Sequence, residues 1–214
     1  MTAPAPLPAT PMHSGRVFLW RRQLGSLIFL PLVAAAILSG RYWSEGTVMD
    51  QALDACSFFL LIGGVGLRTW ATLFIGGRKS HRLITSGPYS LSRNPLYLGS
   101  LLIGLAVAGF LQSLSLGLAT VILGPLLYAG VVREEERVML REHGEDYLVY
   151  QARVPRFWPR TLFAEQADQE LTINLTAMRR HAFRSLGALL LIPAGELVAI
   201  MQSHGMLPHI LGLP

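Results

Sequence analysis

Long apolar runs alternate with short polar blocks along this chain. Four runs, at residues 24–38, 52–75, 96–111 and 114–132, contain almost no charged side chains. A helix needs about 20 apolar residues to cross the hydrocarbon core of a bilayer, and about 17 is near the lower limit. The pattern therefore predicts an all-α fold, a polytopic membrane helix bundle of about five transmembrane helices.

The limits of the helices follow from the same pattern. The first two are predicted at about residues 22–40 and 50–76, and a third begins at Pro95, because proline suits a first helical turn. A short turn at Gln112 and Ser113 predicts an antiparallel hairpin with the fourth helix. The second helix contains closely spaced glycines that allow close packing of helices. These are Gly63, Gly64 and Gly66.

The fourth helix is expected to continue beyond the membrane surface. Leu140, His143, Tyr147 and Tyr150 recur at helical spacing, and Gly144 interrupts them. This arrangement predicts two helical pieces on the cytosolic face of the bundle. The prolines that flank the following segment, 154–159, exclude regular helix there.

Four regions follow from this reading. Residues 1–15, rich in Ala, Pro and Thr, are expected to form a disordered tail. Residues 16–76 hold the first membrane helices, 77–160 the chemical core, and 161–214 an amphipathic segment and a last membrane helix. That last helix, at 186–201, contains Pro193 and Glu196 and is short for a span, so a re-entrant or interfacial helix is the alternative.

Composition and charge support a membrane protein and indicate its orientation. The chain is 51% hydrophobic and only 14% charged, whereas soluble domains carry about 25% charged residues. Basic residues concentrate before the first run, between the second and third, and after the fourth. The positive-inside rule then predicts that the N-terminus and both polar blocks are cytoplasmic, at the inner membrane in a bacterium. No basic patch is interleaved with aromatic residues, so a nucleic acid is not an expected partner.

The two polar blocks carry the candidate chemistry. The first reads HRLITSGPYSLSRNPLYLG from His81, and its Gly87 and Pro88 predict a tight turn that exposes backbone amides. His81 and Arg93 supply hydrogen-bond donors, and the second block supplies acceptors at 134–136. A cofactor with amine, carboxylate and ribose groups would use both blocks. The alternative is a solvated loop and helix end, and no metal site is expected.

Both blocks resemble motifs of one family. The first is similar to H-x-L-x-x-x-G-x-Y-x-x-x-R-H-P-x-Y-x-G, and the second to E-E-x-x-L…G-x-x-Y-x-x-Y-x-x-x-V-P-R-F. These are signatures of isoprenylcysteine carboxyl methyltransferases and the related phospholipid N-methyltransferases. The resemblance covers about residues 80–160. It implies a membrane bundle whose cytosolic end binds S-adenosylmethionine and whose lipid or lipidated substrate enters sideways from the bilayer.

The resemblance also assigns residues. The positions implied to bind the cofactor are His81, Leu83, Gly87, Tyr89, Arg93, Asn94, Pro95, Tyr97, Glu134 and Glu135. The residues expected to act on the methyl acceptor are Arg156, Glu135 and Arg68. A carboxylate, the expected acceptor, would be held by Arg156 or Arg68, whereas an amine would lose its proton to His81 or Glu135. Arg68 lies within the second apolar run, so snorkelling to the membrane surface is its alternative role.

One position departs from the family pattern. Asn94 stands where the motif has histidine, and asparagine forms hydrogen bonds but does not titrate near neutral pH. Two other functions stay open. Membrane sterol and steroid reductases carry a similar turn and bind NADPH, although Glu134, Glu135 and the V-P-R-F segment favour the methyltransferase. A non-catalytic protein that retains the fold is the third possibility. The acceptor and the oligomeric state are not specified by the sequence.

Overall fold

The computed structural model describes residues 27, 29–39, 43, 46–76, 83–161, 163–165, 179, 183 and 187–207. Within these residues every regular element is a helix, which confirms the predicted all-α fold. The helices are α1 (Phe29–Ser39), α2 (Val48–Gly76), α3 (Pro88–Leu91), α4 (Pro95–Phe110), α5 (Leu114–Arg153) and α6 (Leu191–Ser203). The expected tail at 1–15 lies outside the described residues.

Apolar side chains cover much of the outside of the bundle. Two stretches, Val48–Ile75 and Leu114–Arg153, are long and apolar enough to cross a bilayer, and only 22% and 28% of their most apolar windows are buried. Large side chains such as Phe59 and Leu126 point outward, with exposures of 72% and 66%. An apolar exterior of this kind suits lipid contact. The fold is therefore a membrane helix bundle, completed by the shorter α1, α4 and α6.

Glycine brings α2 and α4 into close contact near the end of the bundle where α4 begins. A Cβ atom at Gly99 would lie 2.6 Å from Arg68 Cγ and 2.8 Å from the Gly64 carbonyl oxygen. Any larger residue would push the helices apart, so the predicted close packing is confirmed at Gly64. Gly63 and Gly66 face open space instead, with nothing within 4 Å of a Cβ atom.

The turn between α4 and α5 closes the opposite end of the bundle. Gln112 has a positive φ of 50°, and the Ser113 amide donates to the Ala108 carbonyl at 2.9 Å. These features form a helix C-cap in which a residue with left-handed backbone angles allows the following amides to bond to the last carbonyl oxygens of the helix. The Gln112 side chain donates to the buried Asp50 carboxylate of α2 at 2.5 Å, which fixes the hairpin against that helix.

The long helix α5 carries the second polar block away from the membrane. Its 40 residues correspond to about 60 Å at 1.5 Å per residue, twice the thickness of the hydrocarbon core. Gly144 interrupts the helix with φ 52° and ψ −123°, as its position in the sequence predicts. The helix ends at Arg153 because Pro155 follows, and the chain then returns to the start of α4.

The C-terminal helix packs on α1 and α4. A Cβ atom at Gly195 would lie 3.0 Å from Phe110 Cβ of α4. The Gln202 amide nitrogen donates to the Ile37 carbonyl oxygen of α1 at 2.8 Å. The apolar helical stretch Gly187–Ser203 thus belongs to the bundle.

Candidate functional site

The two polar blocks meet at one end of the bundle, opposite the turn between α4 and α5. The Arg93 amide donates to the Pro155 carbonyl oxygen at 2.9 Å. The Arg156 carbonyl oxygen accepts from the Ser92 hydroxyl at 3.2 Å and from the Asn94 amide nitrogen at 3.1 Å. The segment that follows α5 is therefore hydrogen-bonded to the turn that precedes α4, although more than 60 residues separate them in the sequence.

The turn at Gly87 depends on the absence of a side chain. Gly87 has φ 61° and ψ −132°, a conformation that is open essentially to glycine alone. A Cβ atom there would lie 2.2 Å from the Phe74 ring. The Gly87 amide donates to the Glu165 carbonyl oxygen at 3.0 Å. The sequence predicts that this turn exposes backbone amides to a ligand, whereas in the structure the Gly87 amide is bonded to the protein itself.

A buried carboxylate joins the two blocks electrostatically. The Glu136 side chain lies 3.3 Å from Arg93 Nη1, and only 10% of each side chain is exposed. Arg156 binds the same carboxylate with two nitrogens, with Nε donating to Oε1 at 3.1 Å and Nη2 donating to Oε2. Such a paired geometry is typical of strong arginine–carboxylate contacts. Glu136 also raises the pKa of Arg156, which keeps this guanidinium charged.

Three consecutive glutamates face three different environments. Glu134 is half exposed and pairs on the surface with Arg137 at 3.0 Å and Arg141 at 3.8 Å. Glu135 accepts a hydrogen bond of 2.8 Å from the Tyr97 hydroxyl. Glu136 faces inward, as described above. Successive helical residues differ in direction by about 100°, so only one of the three can face the protein interior.

Buried tyrosines line the interior of this end. The Tyr150 hydroxyl donates to the Tyr89 carbonyl oxygen at 2.7 Å. Tyr147 is 3% exposed and packs with Tyr150 and Leu83. Burial raises the pKa of Tyr89, Tyr147 and Tyr150, so each phenol stays neutral and can donate a hydrogen bond.

Two buried side chains carry donor atoms that have no acceptor among the described residues. Within the part of the chain that the structure describes, neither the Tyr89 hydroxyl nor Arg93 Nε has a hydrogen-bond partner. A buried donor without a partner costs about 1–3 kcal/mol. The pair therefore suits a ligand that carries acceptor oxygens, such as a carboxylate or a ribose hydroxyl.

Comparisons with known proteins agree with these motifs. A family model described as phospholipid methyltransferase matches residues 57–146. The cobalt-zinc-cadmium resistance protein CzcN of Cupriavidus metallidurans is 30% identical over 203 residues, which cover 92% of this chain and 90% of that protein. The chain belongs to the isoprenylcysteine carboxyl methyltransferase and phospholipid methyltransferase family.

A second relative has a similar name. The nickel-cobalt-cadmium resistance protein NccN of Alcaligenes xylosoxydans xylosoxydans is 28% identical over 202 residues, which cover 92% of this chain and 90% of that protein. No solved structure matches the chain at a significant level. The methyltransferase family and the apolar helices together identify a membrane protein of methyltransferase type.

The structure brings together several of the residues that the family motif assigns. Arg93 and Arg156 pair with the same Glu136 carboxylate. Asn94 bonds to the Arg156 carbonyl oxygen, and Tyr97 bonds to Glu135. Buried Pro95 begins α4. Glu134 lies on the outer face of α5 instead, and His81 lies outside the described residues.

Asn94 and Arg68 have protein partners at this end. The Asn94 side chain is 8% exposed and donates to the Arg156 carbonyl, so it holds the second block in place. Arg68 Nη1 donates to the Leu96 carbonyl oxygen at 3.0 Å and to the Ser100 hydroxyl. The guanidinium therefore lies against the first turns of α4. Neither contact follows from the linear motif.

Sequence reasoning missed the central role of Glu136. Its signal is the spacing of Tyr150, Tyr147 and His143, which continues back through Met139 to Glu136 at helical intervals. That series marks the inward face of α5, although Gly144 breaks the helix within it.

Proposed function

We propose that this protein transfers a methyl group from S-adenosylmethionine to an acceptor embedded in the bilayer. The observation that carries the proposal is the Arg93–Glu136–Arg156 cluster. It joins both family blocks at the end of a membrane hairpin, beside buried donors that suit a ligand.

The donor set fits the amino-acid and ribose parts of this cofactor. Arg93 would bind the carboxylate, and the neutral Tyr89 phenol would donate to a second oxygen. Glu136 and Arg156 would keep the Arg93 guanidinium in position. The cofactor, when bound, supplies an electrophilic methyl carbon on a sulfonium. The protein's contribution is then chiefly alignment and exclusion of water.

The contacts of Asn94 bear on the two alternative functions. Its side chain supports the Arg156 backbone, a task that needs a hydrogen-bond donor and no titratable group. The departure from histidine is therefore compatible with activity, which argues against a non-catalytic protein. Arg156 belongs to the V-P-R-F segment that favours the methyltransferase over the NADPH-dependent reductase.

The proposed orientation places the site in the cytoplasm and the α4–α5 turn outside, at the inner membrane of a bacterium. The asymmetric distribution of arginine supports it. In a Cys56→Ser background, Glu142→Cys should react with an impermeant thiol reagent only after the membrane is opened, whereas Val48→Cys should react in intact cells. The reverse pattern of labelling would contradict this orientation.

Loss of the Arg93 guanidinium is expected to weaken cofactor binding. Because hydrogen bonds to charged groups contribute about 1.5–3 kcal/mol, Arg93→Ala should raise the dissociation constant for S-adenosylmethionine by about 10- to 100-fold. Calorimetry on the purified protein in detergent measures this. Arg137→Ala is the matched control, because Arg137 is 71% exposed and pairs with Glu134 on the surface. Equal affinities of wild type and a folded Arg93→Ala variant would refute the assignment.

The same pair of variants can be used in cells. The relatives CzcN and NccN are named for resistance to metals, and we propose that methyl transfer by this chain serves the same purpose. A strain that lacks the gene should then grow poorly with cobalt or cadmium. The wild type and Arg137→Ala should restore growth, and Arg93→Ala should not. Full restoration by Arg93→Ala would separate resistance from methyl transfer.

A further inference from the structure

A single charged side chain crosses the contact between α2 and α4. Arg68 lies in the second half of α2 and is partly buried. Its aliphatic stem passes over Gly99 of α4, where a Cβ atom would lie 2.6 Å from Arg68 Cγ and 3.4 Å from Cδ. The last glycine of the first family motif therefore leaves room for an arginine of another helix.

The guanidinium of Arg68 ends on the first two turns of α4. Its Nη1 donates to the Leu96 carbonyl oxygen at 3.0 Å and to the Ser100 hydroxyl. The Ser100 hydroxyl donates to the same carbonyl oxygen at 3.0 Å, so the three groups form a closed triangle of hydrogen bonds. Leu96 and Ser100 are four residues apart on one face of the helix. The triangle therefore fixes both the rotation and the height of α4 against α2.

The residues that this contact holds in place belong to the candidate site. The Leu96 side chain packs against the buried cluster that contains Tyr89, whose hydroxyl has no acceptor among the described residues. Tyr97, the next residue of α4, faces α5. Its ring lies 4.8 Å from the ring of Tyr128, and its hydroxyl donates to Glu135 at 2.8 Å. A rotation of the first turn of α4 would displace both Leu96 and Tyr97.

The apolar surroundings of Arg68 explain why such a contact is effective. A charged side chain within a membrane helix is costly and usually bonds to polar groups of the protein. Hydrogen bonds in a medium of low dielectric constant are stronger than those in water. Acceptor binding and snorkelling, the two roles expected from the sequence, would each direct the guanidinium to a lipid, whereas Nη1 is directed to α4.

We infer that Arg68 is a positioning residue, which fixes the start of α4 against α2 and holds Leu96 and Tyr97 in place for the reaction. Its effect on the reaction rests on the proposed function, whereas its effect on α4 does not. Arg68 acts through α4 and does not touch the methyl acceptor. Gly99 belongs to the same device, because any side chain there would displace the stem of Arg68.

A fluorine label on Tyr97 tests the position of α4 without any substrate. The full chain is produced with 3-fluorotyrosine and purified in one detergent, and the resonance of Tyr97 is assigned by its absence in Tyr97→Phe. Arg68→Met keeps an unbranched side chain but removes the donors, so it should shift or broaden this resonance. Gly63→Ala is the control, because nothing lies within 4 Å of a Cβ atom there. An unchanged Tyr97 resonance in Arg68→Met would overturn the inference.

Replacement of Gly99 tests the path of the arginine stem. Gly99→Ala keeps the guanidinium but pushes the stem aside, so it should perturb the Tyr97 resonance as Arg68→Met does. Arg68→Ala removes the Cγ and Cδ atoms that the new methyl group would meet. The double variant should therefore lose less thermal stability than the sum of the two single losses. Additive losses would show that Gly99 does not serve Arg68.

Kinetics separate positioning from acceptor binding. The purified full chain is assayed in nanodiscs with methyl-labelled cofactor, and the acceptor probe is a prenylated cysteine with a free carboxylate. Arg68→Met should lower kcat about tenfold or more, because a small misplacement suffices for such a loss, and KM for the probe should stay within about twofold. Ser100→Ala should show a smaller loss of the same kind, although it leaves the charge of Arg68 in place.

A raised KM with unchanged kcat in Arg68→Met would overturn the inference and assign Arg68 to the acceptor. The proposed function has a separate failure. A wild type that neither binds S-adenosylmethionine nor transfers label would overturn that function, and the Tyr97 resonance would still decide whether Arg68 positions α4.

Discussion

Replacement of Glu136 by glutamine is expected to destabilise the end of the bundle where the two polar blocks meet by about 3 kcal/mol. Glu136 is the shared carboxylate of Arg93 and Arg156, and it is only 10% exposed. Removal of one partner from a buried ion pair costs about 3–5 kcal/mol, because the remaining charge loses its compensation. The lower end of this range applies because Arg156 is 39% exposed and can turn towards water.

Glutamine has nearly the same volume as glutamate, so the loss of stability is due to the loss of the negative charge. The change is measured as the midpoint of unfolding in detergent for the purified protein. Glu134→Gln is the control, since its exposed pairs with Arg137 and Arg141 contribute at most about 1 kcal/mol. Should the two variants unfold alike, the Arg93–Glu136–Arg156 cluster would not hold the two blocks together.

The helices could be predicted from the sequence because the membrane imposes a simple rule. Apolar residues are needed wherever the chain meets lipid, so the long apolar runs mark α2 and the first half of α5 almost to the residue. Pro95 marks the start of α4, and Gly144 marks the break in α5, because each residue has a special backbone requirement.

The site could be predicted only as a set of segments. The motifs identify the turn before α4 and the segment after α5, but a motif does not specify which side chain faces which partner. Three successive glutamates are equivalent in a linear pattern, and the fold alone makes Glu136 the buried one. The contact of Asn94 with the Arg156 carbonyl likewise arises from tertiary structure, as does the neighbourhood of Tyr97 and Tyr128.

Replacement of Gly87 by alanine is expected to have the other large effect on stability. The added Cβ atom would lie 2.2 Å from the Phe74 ring, far inside contact distance. The backbone at φ 61° and ψ −132° would also be strained for any residue with a side chain. Overpacking costs about 1–3 kcal/mol and the strained backbone about 1–3 kcal/mol, so the total should be roughly 2–6 kcal/mol.

A second substitution separates the two causes. Phe74→Leu removes the ring that the new methyl group would meet, so in the double variant the steric part of the loss should be recovered and the backbone strain should remain.

Gly66→Ala is the control, because that glycine lies within α2 with nothing within 4 Å of a Cβ atom, and alanine favours a helix. Thermal unfolding of the wild type, the two single variants and the double variant in one detergent measures the coupling, and Gly66→Ala is measured beside them. If Phe74→Leu recovered nothing, the ring would not be what excludes a side chain at Gly87. A Gly87→Ala protein as stable as Gly66→Ala would show that the turn before α4 accepts a side chain after all.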